Sequence, residues 1–333
     1  PLRLVLLDLS EFGLYQVQQT LQDEFPGLPL ASLVGDVKHV ALIDQVLASE
    51  RPSVLFHAAA YKHVPLMEER NAWQAVRNNA WGTWVLAHAA VAARVEKFVL
   101  VSTDKAVNPT NVMGASKRMA EMVCQSLQNG TTQFVIVRFG NVFGSTGSVI
   151  PRFREQIARG GPVTVTHPSI TRYFMSLSEA TQLLLQAGLM GKGGEVLLLD
   201  MGDPVRIIDL ARDMIRLSGA DPDRIRIAFT GLRPGEKLFE EPLATGEATL
   251  PTPHPKLRIA QARPGNRDAV DQMVAWLERD RAAGEAEVRV WLKNWIPEYA
   301  PPGSASVPIA EPIAIMTPAA PAPAVALFAR RRR

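Results

Sequence analysis

The residues best suited to acid–base chemistry directly follow a predicted strand. The apolar run Phe98-Val99-Leu100-Val101 is typical of a buried strand, and Thr103, Asp104 and Lys105 come just after it. A neighbouring carboxyl group and amine supply one proton donor and one proton acceptor, which a reaction with linked proton transfers needs. The alternative is a solvated ion pair between Asp104 and Lys105, which would contribute little.

A second basic residue lies on the next predicted helix, which spans about residues 112–127. Met113 and Lys117 are four residues apart, so a helix places both side chains on one face. The charge of a lysine in this position lowers the pKa of acidic groups nearby. Methionine neither donates nor accepts a proton, so proton transfer falls to other residues.

The first half of the sequence alternates short apolar runs with amphipathic stretches. Wholly apolar strands between amphipathic helices are typical of a parallel sheet covered on both faces. We therefore predict a doubly wound α/β fold, whose ligands lie beyond the carboxyl ends of the strands. The predicted strands lie near residues 4–7, 30–34, 54–56, 98–101 and 134–137, and the predicted helices near 38–49, 68–94 and 112–127.

Polar and small residues collect where these strands end and not where they begin. They are Asp8, Asp36, residues 57–60, residues 102–105, and residues 140–141. The carboxylate of Asp8 suits the 2′- and 3′-hydroxyls of a ribose and would repel a 2′-phosphate, which favours NAD over NADP. The alternatives are a solvated strand end for Asp8 and a helix N-cap for Asp36.

The regular alternation loosens after Gly147. We predict a first domain over residues 1–147, a smaller substrate lobe with C-terminal helices over 148–300, and a disordered tail over 301–333. The tail is rich in proline and alanine, and five prolines interrupt its apolar residues between 307 and 329. Prolines at that density exclude a membrane-spanning helix there.

Composition excludes several classes of protein. The 333 residues carry a formal net charge of only +3, so we predict no nucleic-acid surface. Cys124 is the single cysteine, which excludes a disulfide within the chain and is typical of a reducing cytoplasm. We find no signal peptide or uninterrupted run of about 20 apolar residues, and we predict no metal site.

Five strings in a fixed order point to one family. They are residues 57–65 (HAAAYKHVP), 78–83 (NNAWGT), 101–111 (VSTDKAVNPTN), 138–145 (RFGNVFGS) and 233–237 (RPGEK). Together they resemble the CapD-like polysaccharide-biosynthesis branch of nucleotide-sugar 4,6-dehydratases, Rossmann-like enzymes of the extended short-chain dehydrogenase class. The resemblance covers about residues 1–260.

This resemblance implies an NAD-dependent reaction on a UDP-N-acetylhexosamine, with UDP-N-acetylglucosamine as the expected substrate. The product would be a 4-keto-6-deoxy sugar nucleotide for surface-glycan assembly. Lys105 would be the base at C5, made neutral by partial burial and by the positive nicotinamide. Asp104 would be the acid towards the C6 hydroxyl, with a raised pKa, and Thr103 would hydrogen-bond the 4-hydroxyl. Lys117 would bridge the nicotinamide ribose, and Met113 occupies the usual position of a catalytic tyrosine.

The resemblance also assigns the binding residues. The cofactor contacts are expected at Asp8, Asp36, Val37, Ala58, Ala59, Ala60, Lys62, Asn79, Ser102 and Lys117. The substrate contacts are expected at His63, Asn141, Ser148, Pro151, Thr164, Val165, Thr166, Arg172, Arg233 and Glu236, with the two arginines on the diphosphate. Ordinary surface charge is the alternative for each arginine.

The sequence departs from the family pattern in two places. Family members begin with a strand and a glycine-rich turn that cradles the dinucleotide pyrophosphate, and this sequence is expected to start at the second strand. We therefore expect NAD to bind this chain weakly or not at all. The second departure is Met113, which the larger, membrane-linked members share.

Three further expectations follow from the resemblance. The protein is expected in the cytoplasm, with attachment to the inner face of the membrane only through helices that this chain does not contain. A homo-oligomer is expected, formed through the helices near 68–94 and 112–127. The alternatives are a related 4-epimerase or reductase, a non-catalytic remnant that binds nucleotide sugar or a partner protein, and an α/β scaffold without a small-molecule site.

Overall fold

The computed structural model describes residues 1–128, 130–145, 147–219, 224–243, 247–262, 265–279 and 281–301, so the predicted tail lies outside it from residue 302 onwards. The helices are α1 (Glu11–Glu24), α2 (Val40–Glu50), α3 (Val64–Glu68), α4 (Ala72–Val76), α5 (Gly82–Ala92), α6 (Val112–Ser126), α7 (Val149–Ala158), α8 (Leu177–Met190), α9 (Ile207–Leu217), α10 (Arg267–Leu277) and α11 (Glu285–Trp295). The strands are β1 (Leu4–Asp8), β2 (Leu30–Val34), β3 (Val54–His57), β4 (Lys97–Val101), β5 (Gln133–Arg138), β6 (Asn141–Val142), β7 (Val163–Val165), β8 (Thr171–Arg172), β9 (Phe174–Met175), β10 (Val196–Leu199), β11 (Val205–Arg206), β12 (Ile227–Phe229), β13 (Thr249–Pro251) and β14 (Leu257–Ala260).

The main sheet has the strand order β13-β14-β10-β5-β4-β3. Strands β3, β4, β5 and β10 are parallel, and β14 and β13 add antiparallel pairs at one edge. Alternate side chains of one strand enter opposite hydrophobic clusters, Phe98 and Leu100 on one face and Val99 on the other. Burial on both faces explains the continuous apolar runs, and the predicted doubly wound fold is confirmed.

Strands β1 and β2 form a separate parallel pair. Within the described residues β1 pairs only with β2, and β3 pairs only with β4, where Val54 and Phe56 keep 45% and 43% of their surface exposed. In the doubly wound order 3-2-1-4-5-6 the first strand lies between the second and the fourth. In that order the first strand would lie between β1 and β3. The gap between the β1–β2 pair and the main sheet therefore lies at the position expected for that strand.

The residues predicted as a second lobe divide between two bodies. Helices α7 and α9 pack with β7 around a cluster that includes Phe153, Ile170 and Ile215, and this is the smaller lobe. Strand β10 instead pairs with β5, while α10 and α11 contribute to the cluster beneath the main sheet. The predicted boundary at residue 147 does not separate the two bodies, because the chain crosses between them again after it.

The helix predicted over 68–94 is interrupted. Arg70 adopts a left-handed conformation with φ of 67°, and the Asn71 side chain donates to the carbonyls of Leu66 and Glu69, so the chain turns between α3 and α4. A π-helical turn over Arg77–Trp81 then leads into α5. The spacing of apolar residues gives no sign of one residue, Arg70, in the left-handed conformation. The sequence therefore predicted one continuous helix.

Helix α6 is covered within the chain itself. Every residue from Val112 to Cys124 is buried, and α10 and α11 pack over this helix with clustered indole rings of Trp276, Trp291 and Trp295. The surface expected to form a dimer contact through residues 112–127 is therefore occupied, and a homo-oligomer stays a prediction without that surface. Among the described residues no helix has the length and apolarity to cross a membrane.

A buried ion cluster fastens α6 to the ends of β4 and β5. Both oxygens of Glu121 accept from Arg138, at 2.8 and 2.7 Å, and Oε1 also accepts from Ser102 Oγ at 2.7 Å. Burial raises the pKa of Glu121, but the guanidinium of Arg138 outweighs burial and holds that pKa at about 2. The cluster fixes Ser102 and so the turn that follows β4.

Glu121→Gln is expected to destabilise the fold by about 3–5 kcal/mol at pH 7, because it removes the charge that neutralises buried Arg138. The folded pKa of about 2 lies below the ordinary value of 4.5. The stabilisation is therefore complete above pH 4.5 and is lost as the pH falls towards 2. Urea unfolding at a series of pH values measures the difference between wild type and variant. The control is Glu155→Gln on exposed α7, and a difference that persists undiminished at low pH contradicts the argument.

Candidate active site

A cavity of about 440 Å³ opens at the carboxyl ends of β3, β4 and β5, between the main sheet and the smaller lobe. Residues of the turn after β4, such as Thr103 and Lys105, line one side, and Thr164 and Arg172 of the smaller lobe line another. This is the position at which doubly wound folds bind ligands. Within the described residues, no group of three or more His, Cys, Asp or Glu side chains is placed to hold a metal ion.

Most of the predicted site residues meet in this cavity. Those that line it are Ala58, Ala60, Lys62, His63, Ser102, Thr103, Lys105, Met113, Lys117, Asn141, Ser148, Thr164, Val165, Thr166, Arg172, Arg233 and Glu236. Those that do not line it are Asp8, Asp36, Val37, Ala59, Asn79, Asp104 and Pro151. Most residues predicted from the sequence therefore line one cavity. The other predicted residues lie behind the cavity wall or away from it.

The predicted acid–base pair is in contact. Lys105 Nζ donates to Asp104 Oδ1 at 2.9 Å and to Asn141 Oδ1 at 3.2 Å, and Thr103 Oγ1 donates to Asp104 Oδ1 at 2.9 Å. Asp104 is completely buried, and its second oxygen is buried without a hydrogen-bond partner in the part of the chain that the structure describes. Lys105 and Thr103 face the cavity, whereas the Asp104 carboxylate lies behind them.

The close packing of this turn depends on two glycines. A β-carbon at Gly114 would lie 2.1 Å from the carbonyl oxygen of Lys105, so α6 approaches the turn only because residue 114 has no side chain. A β-carbon at Gly140 would lie 2.9 Å from Asp104 Oδ2. Both distances are shorter than real carbon contacts, so these glycines are required by space rather than by backbone conformation.

Lys105 was predicted to be a neutral amine, but in the resting site it is an ammonium group. Burial alone lowers the pKa of Lys105, but the carboxylates of Asp104 and Glu240 outweigh it and raise that pKa above its ordinary value. The expectation overlooked that two carboxyl groups face the same amine. Lys105 and Asp104 therefore rest as an ion pair.

Lys117 presents a second amine to the cavity, one helical turn after Met113 on α6. Its Nζ donates to the Val101 carbonyl at 2.7 Å, and burial lowers the pKa of Lys117 to about 8 while Glu121 opposes the shift. A buried amine aimed past the end of a strand fits the ribose of a nicotinamide nucleotide. Ala58 and Ala60 line the same side and leave room for it, so this end of the site fits NAD.

Asn79 lies on the π-helical turn and holds the loop that carries these alanines. Its side chain accepts from the Tyr61 amide at 2.8 Å and donates to the Tyr61 carbonyl at 2.9 Å and to Ser116 Oγ at 2.9 Å. The π-helical geometry turns this amide inwards instead of to the solvent-facing side of a helix. The loop over 58–63 is thereby fastened to α6.

The residues predicted for the far end of the cofactor make local contacts. The exposed carboxylate of Asp8 accepts from the amide of Ser10 at 2.7 Å, and Asp36 pairs with Lys38 at 2.8 Å. Val37 is buried, and a β-carbon at Gly82 would lie 2.8 Å from its methyl group. Their roles in binding adenosine stay predictions.

The two predicted diphosphate arginines have different surroundings. Arg172 is buried and donates to the backbone carbonyls of Thr171, Lys237 and Leu238. Arg233 keeps 46% of its side chain exposed and pairs with Glu236 at 2.9 Å. Arg172 therefore fastens the chain around residue 238, and Arg233 is the arginine whose side chain can turn towards a ligand.

Glu240 is a residue of the cavity that the sequence analysis did not predict. Glu240 lines the cavity and is buried, with Oε1 at 3.8 Å from both Lys105 Nζ and Arg172 Nε. Its only signal in the sequence is a spacing of four residues from Glu236, which does not distinguish a buried carboxyl group from the exposed Glu241 beside it.

Comparison with known proteins identifies the family. Residues 1–262 match the family described as polysaccharide biosynthesis protein. The chain belongs to this family. It is 53% identical over 250 residues to the capsular polysaccharide biosynthesis protein CapD of Staphylococcus aureus, covering 74% of this chain and 42% of that protein. The family member described here thus spans less than half the length of that relative.

Two further proteins are similar to this chain, one in sequence and one in fold. The chain is 33% identical over 245 residues to a UDP-glucose 4-epimerase of Rickettsia akari, covering 71% of this chain and 70% of the epimerase. Its fold is similar to that of a double mutant of DesIV, a dTDP-glucose 4,6-dehydratase from Streptomyces venezuelae. That similarity has a TM-score of 0.63 and 19% identity, and it covers 90% of this chain and 88% of the other.

Gly114→Ala is expected to destabilise the protein by about 1–3 kcal/mol through overpacking against the Lys105 carbonyl. Alanine is otherwise the better helix former by about 1 kcal/mol, so a net loss isolates the clash. The measurement is urea unfolding, with Gly27→Ala as the control because nothing lies within 4 Å of a β-carbon there. A variant more stable than wild type by about 1 kcal/mol, the helix preference alone, would show that the close approach does not exist.

Proposed function

We propose that this chain carries the catalytic part of an NAD-dependent 4,6-dehydratase that acts on a UDP-N-acetylhexosamine, with UDP-N-acetylglucosamine as the expected substrate. The product is a 4-keto-6-deoxy sugar nucleotide for surface-polysaccharide synthesis. The observation that carries the proposal is the contact of Lys105 with Asp104 at the cavity, beside the Lys117 amine. The family membership and the NAD-bound dehydratase of similar fold support it.

The reaction needs an acid and a base close together. NAD supplies the acceptor, and later the donor, of the hydride that moves from C4 to C6. Lys105 removes the C5 proton, which is acidic because it lies next to a C4 ketone. Asp104 lies behind the cavity wall, so its proton reaches the C6 hydroxyl, which leaves as water, through the hydroxyl of Thr103. The C5 proton returns from Lys105, so Asp104 must recover its proton from the 4-hydroxyl.

These roles require the resting ion pair to lose the Lys105 proton before the reaction begins. Asp104 then stays ionised and accepts the proton of the 4-hydroxyl, which makes it the acid that the elimination needs. Lys105 is neutral and takes the C5 proton, and both groups end the cycle in the state in which they began.

Thr103 offers the route from the 4-hydroxyl to Asp104. Its hydroxyl lines the cavity and donates to the buried Asp104 carboxylate. A threonine hydroxyl both donates and accepts, so it can pass a proton from the sugar to Asp104 without carrying charge itself. This relay removes the 4-hydroxyl proton. Met113 cannot perform that step, because its side chain neither donates nor accepts a proton.

Asp104→Asn and Lys105→Ala are each expected to lower turnover by at least about a hundredfold, because each removes one proton transfer. Incubation with UDP-N-acetylglucosamine and NAD, followed by mass spectrometry, measures loss of water from the sugar nucleotide. Circular dichroism checks folding, and the control is Lys256→Ala on the exposed surface. Both this chain and a version extended upstream of residue 1 are assayed, and turnover that persists in both variants refutes the roles.

The same assay tests the rival functions. A 4-epimerase, favoured by the relative from Rickettsia akari, gives a product of unchanged mass. Such an enzyme needs an acid–base group like the tyrosine that Met113 replaces, and this absence argues against it. A non-catalytic remnant that binds nucleotide sugar or a partner protein gives no product from either length of chain.

Arg233→Ala is expected to raise the KM for sugar nucleotide about tenfold and to lower kcat less, because a hydrogen bond to a charged group is worth about 1.5–3 kcal/mol. The reason is that Arg233 lies on the cavity with an exposed guanidinium. Arg212→Ala on exposed α9 is the control. Steady-state kinetics that show a lower kcat with unchanged KM would argue against a diphosphate contact.

The proposal includes a cytoplasmic site of action, a UDP-sugar as the small-molecule partner, and a homo-oligomer. Membrane attachment belongs to helices outside this chain, as the resemblance implies.

A further inference from the structure

Glu240 brings a second carboxyl group to the pair formed by Asp104 and Lys105. Its side chain is 3% exposed, and Oε1 lies 3.8 Å from Lys105 Nζ. Its second oxygen is buried and has no hydrogen-bond partner among the described residues. A buried carboxyl group with an unsatisfied oxygen is costly, so its position at the catalytic amine calls for a functional explanation.

The surrounding chain is built to hold Glu240 in this position. Arg172 Nε lies 3.8 Å from the same Oε1, and its other nitrogens donate to carbonyls of the segment that leads to Glu240. The same segment is fastened to the catalytic turn, since Lys237 Nζ donates to the Val107 carbonyl at 3.0 Å and Thr110 Oγ1 donates to that of Gly235 at 2.9 Å. Arg172 and these contacts leave Glu240 little freedom to move away from Lys105.

We propose that Glu240 is a positioning residue for Lys105: held by Arg172, its carboxylate orients the amine towards the cavity and stabilises the ammonium that forms when Lys105 takes a proton. This is the role that a buried aspartate plays for the histidine of a serine-protease triad. In the proposed dehydration the ammonium exists between removal of the C5 proton and its return. The inference rests on that function only for its kinetic test.

The charges around Lys105 and Glu240 determine the direction in which Glu240 shifts the pKa of Lys105. Asp104 and Glu240 face the Lys105 amine and raise its pKa against burial, while Arg172 lowers it. Burial raises the pKa of Glu240 itself, and Asp104 adds to this while Lys105, Arg172 and Lys237 oppose it. Removing the Glu240 charge should therefore lower the pKa of Lys105, because one of two stabilising carboxylates is lost.

The first test measures Lys105 directly and needs no turnover. Protein labelled with 13C at the lysine ε-carbon is titrated with base and followed by NMR, and the Lys105 signal is assigned by its absence from Lys105→Arg. Glu240→Gln, which keeps the size of the side chain, is expected to lower the titration midpoint of Lys105 by about one pH unit. The matched control is Glu241→Gln, whose carboxylate is exposed and pairs with Lys237, and its midpoint should equal that of wild type.

The second test is the pH dependence of turnover. Glu240→Gln is expected to lower kcat by about ten- to hundredfold, less than the loss of a whole proton transfer, with little change in KM. The rise of kcat with pH should move to lower pH, because the required neutral amine forms there. A residue that only supports the fold would lower stability or the amount of active enzyme without moving this profile.

The outcomes separate the two proposals. A Lys105 midpoint that is the same in Glu240→Gln and wild type overturns the role of Glu240, whatever the enzyme turns over. A lowered midpoint in Glu240→Gln, with Glu241→Gln unchanged, supports it. Absence of any dehydration by both the wild-type chain and its upstream-extended version refutes the proposed function, and the NMR titration then still decides the proposal for Glu240.

Discussion

The site depends on keeping one ammonium group, that of Lys105, out of bulk water and beside a carboxylate. Desolvating such a pair costs several kcal/mol per ion, so the pair persists only if further polar groups surround it. Asn141 on β6 and Glu240 in the segment after β12 place oxygens beside the ammonium, and Thr103 at the end of β4 donates to the Asp104 carboxylate. Elements of both lobes must therefore assemble before the pair is stable, which ties the chemistry to the complete fold.

Helix α6 connects this pair to the rest of the molecule. It carries Lys117 to the cavity, Gly114 to the Lys105 carbonyl, and Glu121 to the ion cluster behind β4. A helix with polar groups on several sides is not stable in an apolar core unless each group is paired, and here each has its partner. The cover provided by α10 and α11 then excludes water from the rear of the site, so α6 serves the site within a single chain rather than a dimer contact.

Local patterns predicted the sheet and the edge at which the site lies. Apolar runs such as Phe98–Val101 identified buried strands, and the polar residues after them identified the cavity, because both signals come from neighbouring residues. The sequence did not predict the break at Arg70, the covering of α6, or the burial of Asp104 behind Lys105. Each depends on contacts between distant segments, and only the assembled chain shows that two carboxyl groups, Asp104 and Glu240, share one amine.

The two arginines show how burial, rather than residue type, assigns a role. Turning Arg172 towards a diphosphate would leave buried carbonyls without their donor, at about 1–3 kcal/mol each, and would remove the cation that lies 3.8 Å from the Glu240 carboxylate. Turning Arg233 breaks its hydrogen bonds to Glu236, but its guanidinium is half exposed, where an ion pair contributes little. In the proposed function the diphosphate is therefore bound at the rim by Arg233, while Arg172 holds the carboxyl group of Glu240 beside the Lys105 amine. Binding and acid–base chemistry would then use separate cations.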